Sequence, residues 1–187
     1  MTYDFKERLA MSQGARKATD ELTIMALLDG CVTVTSSTTE LDKMGVDYIA
    51  TLRGGADVYI DAKTRDKGCS RFWKNGEPEL AIELWSVMPG GKFNMPRGRA
   101  KAGWTIDEAK ITDLVLYTFS NSDCKTAFLF PFQSLRMASR RMIKHWMQRF
   151  KVDIQTSGNW QSQAVFVPAS EVMMAIQNTF SATIDHQ

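Results

Sequence analysis

"GVDYIATLRGGADVYIDAKTRD", residues 45–66, decides the fold, because it contains two apolar runs separated by a glycine-rich turn. The runs are VDYIATL (46–52) and ADVYIDAK (56–63), and the segment RGG (53–55) joins them. Short apolar runs on either side of a Gly-Gly pair are typical of a β-hairpin with a tight turn. The stretch therefore predicts two antiparallel strands.

The charged residues of this hairpin gather at one end of it. Side chains alternate along a strand, so Asp61 and Lys63 point to the same face of the second strand. Antiparallel pairing brings the start of the first strand beside the end of the second, which places Asp47 near both. The sequence predicts that three ionisable groups converge there.

This cluster has two interpretations. Two carboxylates a few ångströms apart repel each other unless a cation joins them, and ligation by oxygen alone suits Mg²⁺. A neighbouring ammonium group can stabilise the charge that builds up on a phosphate during hydrolysis. Alternatively, Asp61 and Lys63 form an ion pair on a solvated strand face, and Asp47 is a turn residue.

The arrangement resembles the PD-(D/E)XK phosphodiesterase superfamily, the restriction-endonuclease-like and resolvase-like nucleases. In these proteins a helix precedes a hairpin with Asp on one strand and (D/E)xK on the next. The resemblance covers residues 12–150 and is sharpest at 45–64. It implies a Mg²⁺ site, for which Mn²⁺ is expected to substitute, and a catalytic lysine. The implied ligands are Asp47, Asp61 and the backbone carbonyl of Ala62, and the implied lysine is Lys63.

The match departs from the family pattern at two positions. Val46 stands where the name-giving proline would be, and the acid of the triplet is Asp61 rather than the commoner glutamate. Both departures are tolerated in the superfamily. With them, the resemblance is carried by a small number of residues.

Two further acids are candidates by the same resemblance. The family often supplies an acid from the first helix, where Glu21 lies at the edge of the apolar stripe. In one subgroup a strand ending in a glutamate follows the lysine strand, and a Gly-Trp segment with a later Asp opens another strand. Here Glu83 occupies the first place, and Gly103, Trp104 and Asp113 occupy the second. The alternatives are a solvent-facing Glu21 and a structural Glu83.

Basic residues are concentrated in two segments. The Gly- and Pro-rich loop at 90–101 holds four of them with no acid, which fits contact with phosphates. The helix predicted at 135–150 has a basic side opposite Ile143 and Trp146, for which the alternative is an ordinary solvated face. The candidate nucleic-acid-binding residues are Lys92, Arg97, Arg99 and Lys101 in the loop and Arg140, Arg141 and Lys144 on the helix.

Composition sets the wider limits. The 187 residues are 44% hydrophobic and have a net charge of +2, which fits one globular domain and gives only a weak indication of a polyanionic partner. Three scattered cysteines without CxxC spacing favour a reduced, cytoplasmic protein over a disulfide framework or a thiolate zinc site. The polar N-terminus and the absence of long apolar runs argue against secretion and membrane insertion.

The remaining patterns predict the rest of the fold. An apolar stripe of Ala15, Ala18, Leu22 and Met25 predicts a first helix over 12–28. Further strands are predicted at 31–35, 80–87, 113–120, 125–132, 152–157 and 163–168, and helices at 135–150 and 169–180. The order indicates an α/β fold with a central mixed β-sheet flanked by helices, and the resemblance implies that its core is restriction-endonuclease-like. A single domain is expected, its core at about 12–150 and a strand-strand-helix extension at 151–187.

The expected function follows from the resemblance: a Mg²⁺-dependent endonuclease that hydrolyses DNA, with DNA favoured over RNA. A homodimer that cuts two strands is compatible with the sequence. The alternative is a catalytically inactive nucleic-acid- or protein-binding module on the same fold, for instance a phage anti-defence protein. Neither a triad hydrolase nor a nucleotide-binding P-loop is indicated by any motif.

Overall fold

The computed structural model of the chain describes residues 5–65, 73–74, 76–88, 100–120, 125–157 and 160–184. Its helices and strands follow one another in the order that the sequence predicts, with a short helix and two short strands in addition. In chain order they are α1 (Phe5–Leu27), β1 (Cys31–Ser36), α2 (Thr39–Lys43), β2 (Tyr48–Leu52), β3 (Asp57–Arg65), β4 (Trp73–Lys74), β5 (Glu77–Val87), β6 (Lys101–Ala102), β7 (Leu114–Ser120), β8 (Lys125–Pro131), α3 (Phe132–Arg149), β9 (Val152–Ser157), β10 (Trp160–Pro168) and α4 (Ala169–Ile184).

The hairpin predicted from residues 45–66 is confirmed as β2 and β3. The two strands are antiparallel, with Tyr48 opposite Ile60 and Thr51 opposite Asp57. Gly55 in the turn has a φ of 81°, a left-handed conformation that favours glycine. The turn thus sets the strand register, which brings Asp47 before β2 close to Asp61 and Lys63 at the end of β3.

The hairpin belongs to a five-stranded mixed sheet, the first sheet, in the order β1-β2-β3-β7-β8. Strand β7 is parallel to β3, whereas the other neighbours are antiparallel. The predicted mixed sheet flanked by helices is therefore present. The parallel pairing requires a crossover, and residues 66–113 between β3 and β7 supply it.

Strand β5 lies in a second sheet rather than in the first. This second sheet is antiparallel, with the order β4-β5-β10-β9 and with β6 beside β5. The segment that follows residue 150 is thus joined to the middle of the chain by the pairing of β10 with β5. Alternation of apolar residues along β5 predicts a strand, but it does not specify the sheet to which the strand belongs.

Two apolar clusters hold these layers together. The smaller one packs α1 against the first sheet through Ile24, Ala50, Ile60 and Leu116. The larger one joins both sheets to α3 and α4 and contains the buried ring of Trp146. The described helices include no segment that is long and apolar enough to cross a membrane.

The predicted buried face of α1 is wrong. Leu22 is 69% exposed, Met25 and Ala18 are exposed too, and the side chain of Ala15 lies outside the described residues. Ile24 is instead fully buried against the first sheet. Apolar residues occur on several sides of this helix, so the spacing allows more than one stripe, and contact with the sheet selects the one through Ile24.

Helix α3 starts at Phe132, three residues earlier than predicted. Its apolar stripe is confirmed at Leu135 and Trp146, which are fully buried, whereas Met147 is 38% exposed. Arg140, Arg141 and Lys144 lie on an exposed side of the helix, as the sequence predicts.

Candidate active site

Asp47 lies beside the end of β3, as the sequence predicts. Asp47 precedes β2, and its backbone N–H donates a hydrogen bond to the carbonyl of Ile60, with an N–O distance of 2.8 Å. Its carboxylate Oδ2 accepts a hydrogen bond from the backbone N–H of Ala62 at 2.7 Å. The two strands therefore hold Asp47 next to Asp61.

Asp61 is 1% exposed and forms ion pairs through both of its carboxylate oxygens. Lys63 Nζ lies 2.5 Å from Oδ1, and Lys110 Nζ lies 2.8 Å from Oδ2. Burial alone would raise the pKa of Asp61, but the two ammonium groups hold it below its usual value. Asp61 is thus ionised and neutralised by two lysines.

Asp47 has the opposite electrostatic environment. Burial raises its pKa to about 6, the hydrogen bond from Ala62 opposes this increase, and interaction with Asp61 adds to it. A carboxyl group with this pKa is ionised at neutral pH but at a cost, because it is partly removed from water and also lies beside a second carboxylate. A cation between the two groups would relieve that cost.

Lys110 is a member of the cluster that no sequence motif indicated. It lies in the segment between β6 and β7, and the buried guanidinium of Arg136 donates hydrogen bonds to the carbonyls of Asp107 and Lys110 at 2.7 and 3.5 Å. Gly45 has a φ of 87°, and a Cβ there would overlap the Lys110 side chain. The bonds from Arg136 thus hold the backbone that carries Lys110, and the glycine at position 45 leaves room for the lysine side chain.

Lys110→Met should bind Mn²⁺ more tightly than the natural chain, by about tenfold, because a cation at Asp61 must displace the Lys110 ammonium. The same change should lower the free energy of unfolding without metal, since it leaves Asp61 with one ion-pair partner. Isothermal titration with Mn²⁺ and thermal unfolding measure both effects. Lys43→Met, at an exposed position in α2, is the matched control. Equal affinities would show that Lys110 does not compete with the metal.

Glu83 is placed for a structural contact with the Gly103-Trp104 turn. Its Oε2 accepts hydrogen bonds from the backbone N–H of Trp104 at 3.1 Å and from the Ser86 hydroxyl at 2.9 Å. The Trp104 ring lies with its centroid 5.6 Å from Lys63 Nζ. Glu83 therefore acts on the cluster through Trp104, as a positioning residue.

Gly103→Ala tests the docking of this turn. A Cβ at Gly103 would overlap the backbone of Glu83, so the change should lower the free energy of unfolding by about 1–3 kcal/mol. It should also reduce activity, because it displaces Trp104, whose ring lies beside Lys63. Gly54→Ala is the control, since a Cβ there meets no atom within 4 Å. Thermal unfolding compares the two variants, and equal melting temperatures would contradict the docking described above.

The structure does not bring Glu21 to the cluster. Its carboxylate lies 3.9 Å from Lys17 Nζ on the same helix. Its neighbour Asp20 faces the sheet instead: it is 2% exposed and accepts a hydrogen bond from the Tyr48 hydroxyl at 3.1 Å. Burial raises the pKa of Asp20, although the bond from Tyr48 opposes this shift. The i, i+4 spacing of Asp20 and Ile24 is the signal that could have identified it.

Asp113 also has a structural place, at the start of β7. Its carboxylate accepts a hydrogen bond from the backbone N–H of Tyr59 at 2.9 Å, and its own N–H donates to the Tyr59 carbonyl. These bonds fasten β7 to β3 beside the cluster.

The structure describes four of the seven candidate nucleic-acid-binding residues. Lys92, Arg97 and Arg99 lie outside the described residues, and Lys101 is exposed in β6. Arg140 forms an ion pair with Glu108 at 2.7 Å, while Arg141 and Lys144 are exposed. For all of these, binding to nucleic acid stays a prediction.

A cleft of about 480 Å³ opens beside the cluster and has its own basic residues. It lies between β3 of the first sheet and the second sheet, with Trp104 at its side. The cationic side chains that line it are Arg16, Lys63, Arg65 and Lys110. The Arg65 guanidinium is held over the Tyr117 ring and donates to its hydroxyl at 3.0 Å.

The cluster meets the needs of a hard divalent cation in part. Among the described residues, no group of three or more His, Cys, Asp or Glu side chains is arranged to hold a metal ion. Mg²⁺ is nevertheless commonly bound by one or two carboxylates, with waters and substrate phosphates as the other ligands. The pair of Asp47 and Asp61 fits this pattern of donors, provided that an ammonium group on Asp61 gives way.

Comparisons of the chain with protein-family models, with curated proteins and with solved structures found no match. The residues and the geometry of this cluster are therefore what indicates its chemistry.

Proposed function

We propose that the chain is a Mg²⁺-dependent nuclease with a restriction-endonuclease-like core, and that DNA is its substrate. The observation that carries the proposal is a pair of adjacent carboxylates, the half-buried Asp47 and the buried Asp61, next to Lys63 at the wall of a cleft that contains four cationic side chains. Such a cluster combines the ligands for a cation with the charges that attract a phosphate.

Each residue has a role in this proposal. Asp47 and Asp61 would hold Mg²⁺, with the carbonyl of Ala62 as a third ligand. When bound, Mg²⁺ supplies positive charge beside the phosphate and lowers the pKa of a water molecule. Lys63 donates a hydrogen bond to the phosphate oxygens as their negative charge increases, and it also orients the attacking water. Lys110 neutralises Asp61 while no substrate is bound.

The second candidate is a binding module without catalytic activity. It is favoured by the two ion pairs of Asp61, which leave both carboxylate oxygens already occupied by ammonium groups. A cluster of this kind can be retained for structural reasons alone.

Cleavage assays separate the two candidates. Labelled duplex, single-stranded and branched DNA, and RNA, are incubated with the purified chain in Mg²⁺, Mn²⁺ or EDTA. We expect cleavage with either metal, none with EDTA, loss of cleavage in Asp61→Asn and retention in Asp57→Asn, an exposed position on the same strand. Full activity of Asp61→Asn would remove the assigned site, and binding without cleavage under both metals would favour the module.

A further inference from the structure

The cleft beside Lys63 has a second wall that the hydrolysis does not use. Strands β9 and β10 pair so that Ser162 lies opposite Gln155 and Ala164 lies opposite Asp153. All four residues line the cleft. This wall therefore presents an amide, a hydroxyl and a carboxylate towards the basic side of the cleft.

Small side chains keep the cleft open. Ala164 pairs with Glu83 of β5, and Phe166 pairs with Ala81, so these two strands contribute two alanines and one aromatic residue to the lining, and β6 adds Ala102. Larger residues at Ala81 or Ala164 would fill the space. The volume of about 480 Å³ is within the range of about 300–1,000 Å³ that is typical of sites for small organic ligands.

The two walls differ in charge. Arg16, Lys63 and Arg65 line one side, and Asp153 with two neutral polar side chains lines the other. The lining also includes Lys110, which is paired with Asp61, and the acids Glu83 and Asp107, of which Glu83 accepts hydrogen bonds from Trp104 and Ser86. A phosphate is attracted to the basic side and repelled by Asp153. The edge of a nucleobase, which presents neutral donors and acceptors, suits the wall of Gln155 and Ser162. A nucleotide would thus enter in one orientation.

A second cavity of about 370 Å³ adjoins the first. Both cavities are lined by Arg16, Ala62 and Lys63, and the second also includes Asp47 and Tyr48. A single strand could therefore continue from one cavity to the other past Lys63. A paired nucleotide could not enter in the same way, because its base is stacked and hydrogen-bonded within the duplex.

We propose that the cleft between the two sheets binds one unpaired nucleotide next to the phosphate that is cleaved, with its base against Gln155 and Ser162. This inference rests on the proposed nuclease function and specifies its substrate: single-stranded, flapped or bulged nucleic acid rather than a fully paired duplex. Bases held outside a duplex are accessible to hydrogen bonding and stacking in this way.

Three labelled substrates of the same sequence test the proposal: a single strand, a duplex with one unpaired nucleotide and a fully paired duplex. Binding is measured by fluorescence anisotropy with Ca²⁺ present, and cleavage is measured with Mg²⁺. The first two substrates should bind and react at least about tenfold better than the paired duplex. Equal binding and cleavage of all three would overturn the proposal.

Two variants connect this preference to the cleft. Ala164→Phe should weaken binding of the single strand by about tenfold and leave Mn²⁺ affinity unchanged, whereas Ile154→Phe, at an exposed position of β9, should change neither. If Ala164→Phe does not fold, the double variant Gln155→Ala with Ser162→Ala should show the same loss. Unchanged affinity in the folded variant would refute the cleft assignment.

These experiments distinguish failure of the nuclease proposal from failure of the nucleotide-site proposal. If no substrate is cleaved but single strands still bind and Ala164→Phe weakens that binding, the nuclease proposal fails and the nucleotide site stands. If Mg²⁺-dependent cleavage occurs but is indifferent to pairing and to Ala164→Phe, the nuclease stands and the nucleotide site fails.

Discussion

Lys63→Met should cleave DNA about 10²–10³ times more slowly than the natural chain under single-turnover conditions, because it removes a charged donor beside the reacting phosphate. Lys63 is suited to this position: its side chain is 28% exposed, lines both cavities and lies 2.5 Å from Asp61. The change should not weaken Mn²⁺ binding, since Lys63 is not a ligand and its ammonium group occupies Asp61 Oδ1.

The combination of slow cleavage and retained metal binding distinguishes a catalytic lysine from a structural one. Lys43→Met controls for the loss of a positive charge elsewhere on the surface. Cleavage by Lys63→Met at the rate of the natural chain would exclude Lys63 from the reaction, whereas loss of both folding and metal binding would indicate that its ion pair is mainly structural.

Asp47→Asn should abolish cleavage and yet stabilise the metal-free protein. The pKa of Asp47 is raised from 3.8 to about 6, so ionisation of this carboxyl group at pH 8 destabilises the folded chain relative to the unfolded chain. Asparagine resembles the neutral form and can still accept the hydrogen bond from Ala62. With allowance for solvent screening, the gain in the free energy of unfolding should be about 1–2 kcal/mol, which corresponds to about 2–8 °C in melting temperature.

The gain should depend on pH in a defined direction. As the pH falls through 6, the folded chain takes up a proton at Asp47, while the unfolded chain does so only near its ordinary pKa of 3.8. The cost of the charge is therefore present above pH 6 and is lost between pH 6 and 4. Melting curves of both proteins at pH 8 and pH 5, in EDTA, should show a gap at pH 8 that shrinks at pH 5. A constant gap, or destabilisation at pH 8, would contradict the electrostatic account of Asp47.

The hairpin and its charged end were predictable because the information is local. The Gly54-Gly55 turn sets the register, and the register alone brings Asp47 beside Asp61. Alternation then places Lys63 on the same face as Asp61, where the two form an ion pair. These contacts need no knowledge of the rest of the chain.

Lys110 could not be predicted in this way, because its ion pair with Asp61 joins positions 49 residues apart in sequence. The segment that carries it has no periodic pattern, and its place depends on hydrogen bonds from Arg136 of α3. Gly45 is a residue near the hairpin whose identity reflects the contact with Lys110, because a Cβ there would overlap the lysine side chain. A glycine before a strand is, however, equally typical of an ordinary turn.

The buried side of α1 and the sheet to which β5 belongs could not be predicted from the sequence, for a different reason. Glu21 and Asp20 are adjacent, so an error of one position along the helix turns the wrong acid towards the sheet. Strand β5 is buried on both faces over residues 78–82, and the same pattern fits either sheet. In both cases the packing of distant elements, rather than local preference, decides the outcome.

Anomalous diffraction from crystals soaked in Mn²⁺ tests the central claim most directly, because it locates the metal without reference to activity. The account predicts an anomalous peak between the carboxylates of Asp47 and Asp61, with the Lys110 ammonium withdrawn from Asp61. A map at saturating Mn²⁺ with no peak at this pair, and with Lys63 and Lys110 still in contact with Asp61, would contradict it.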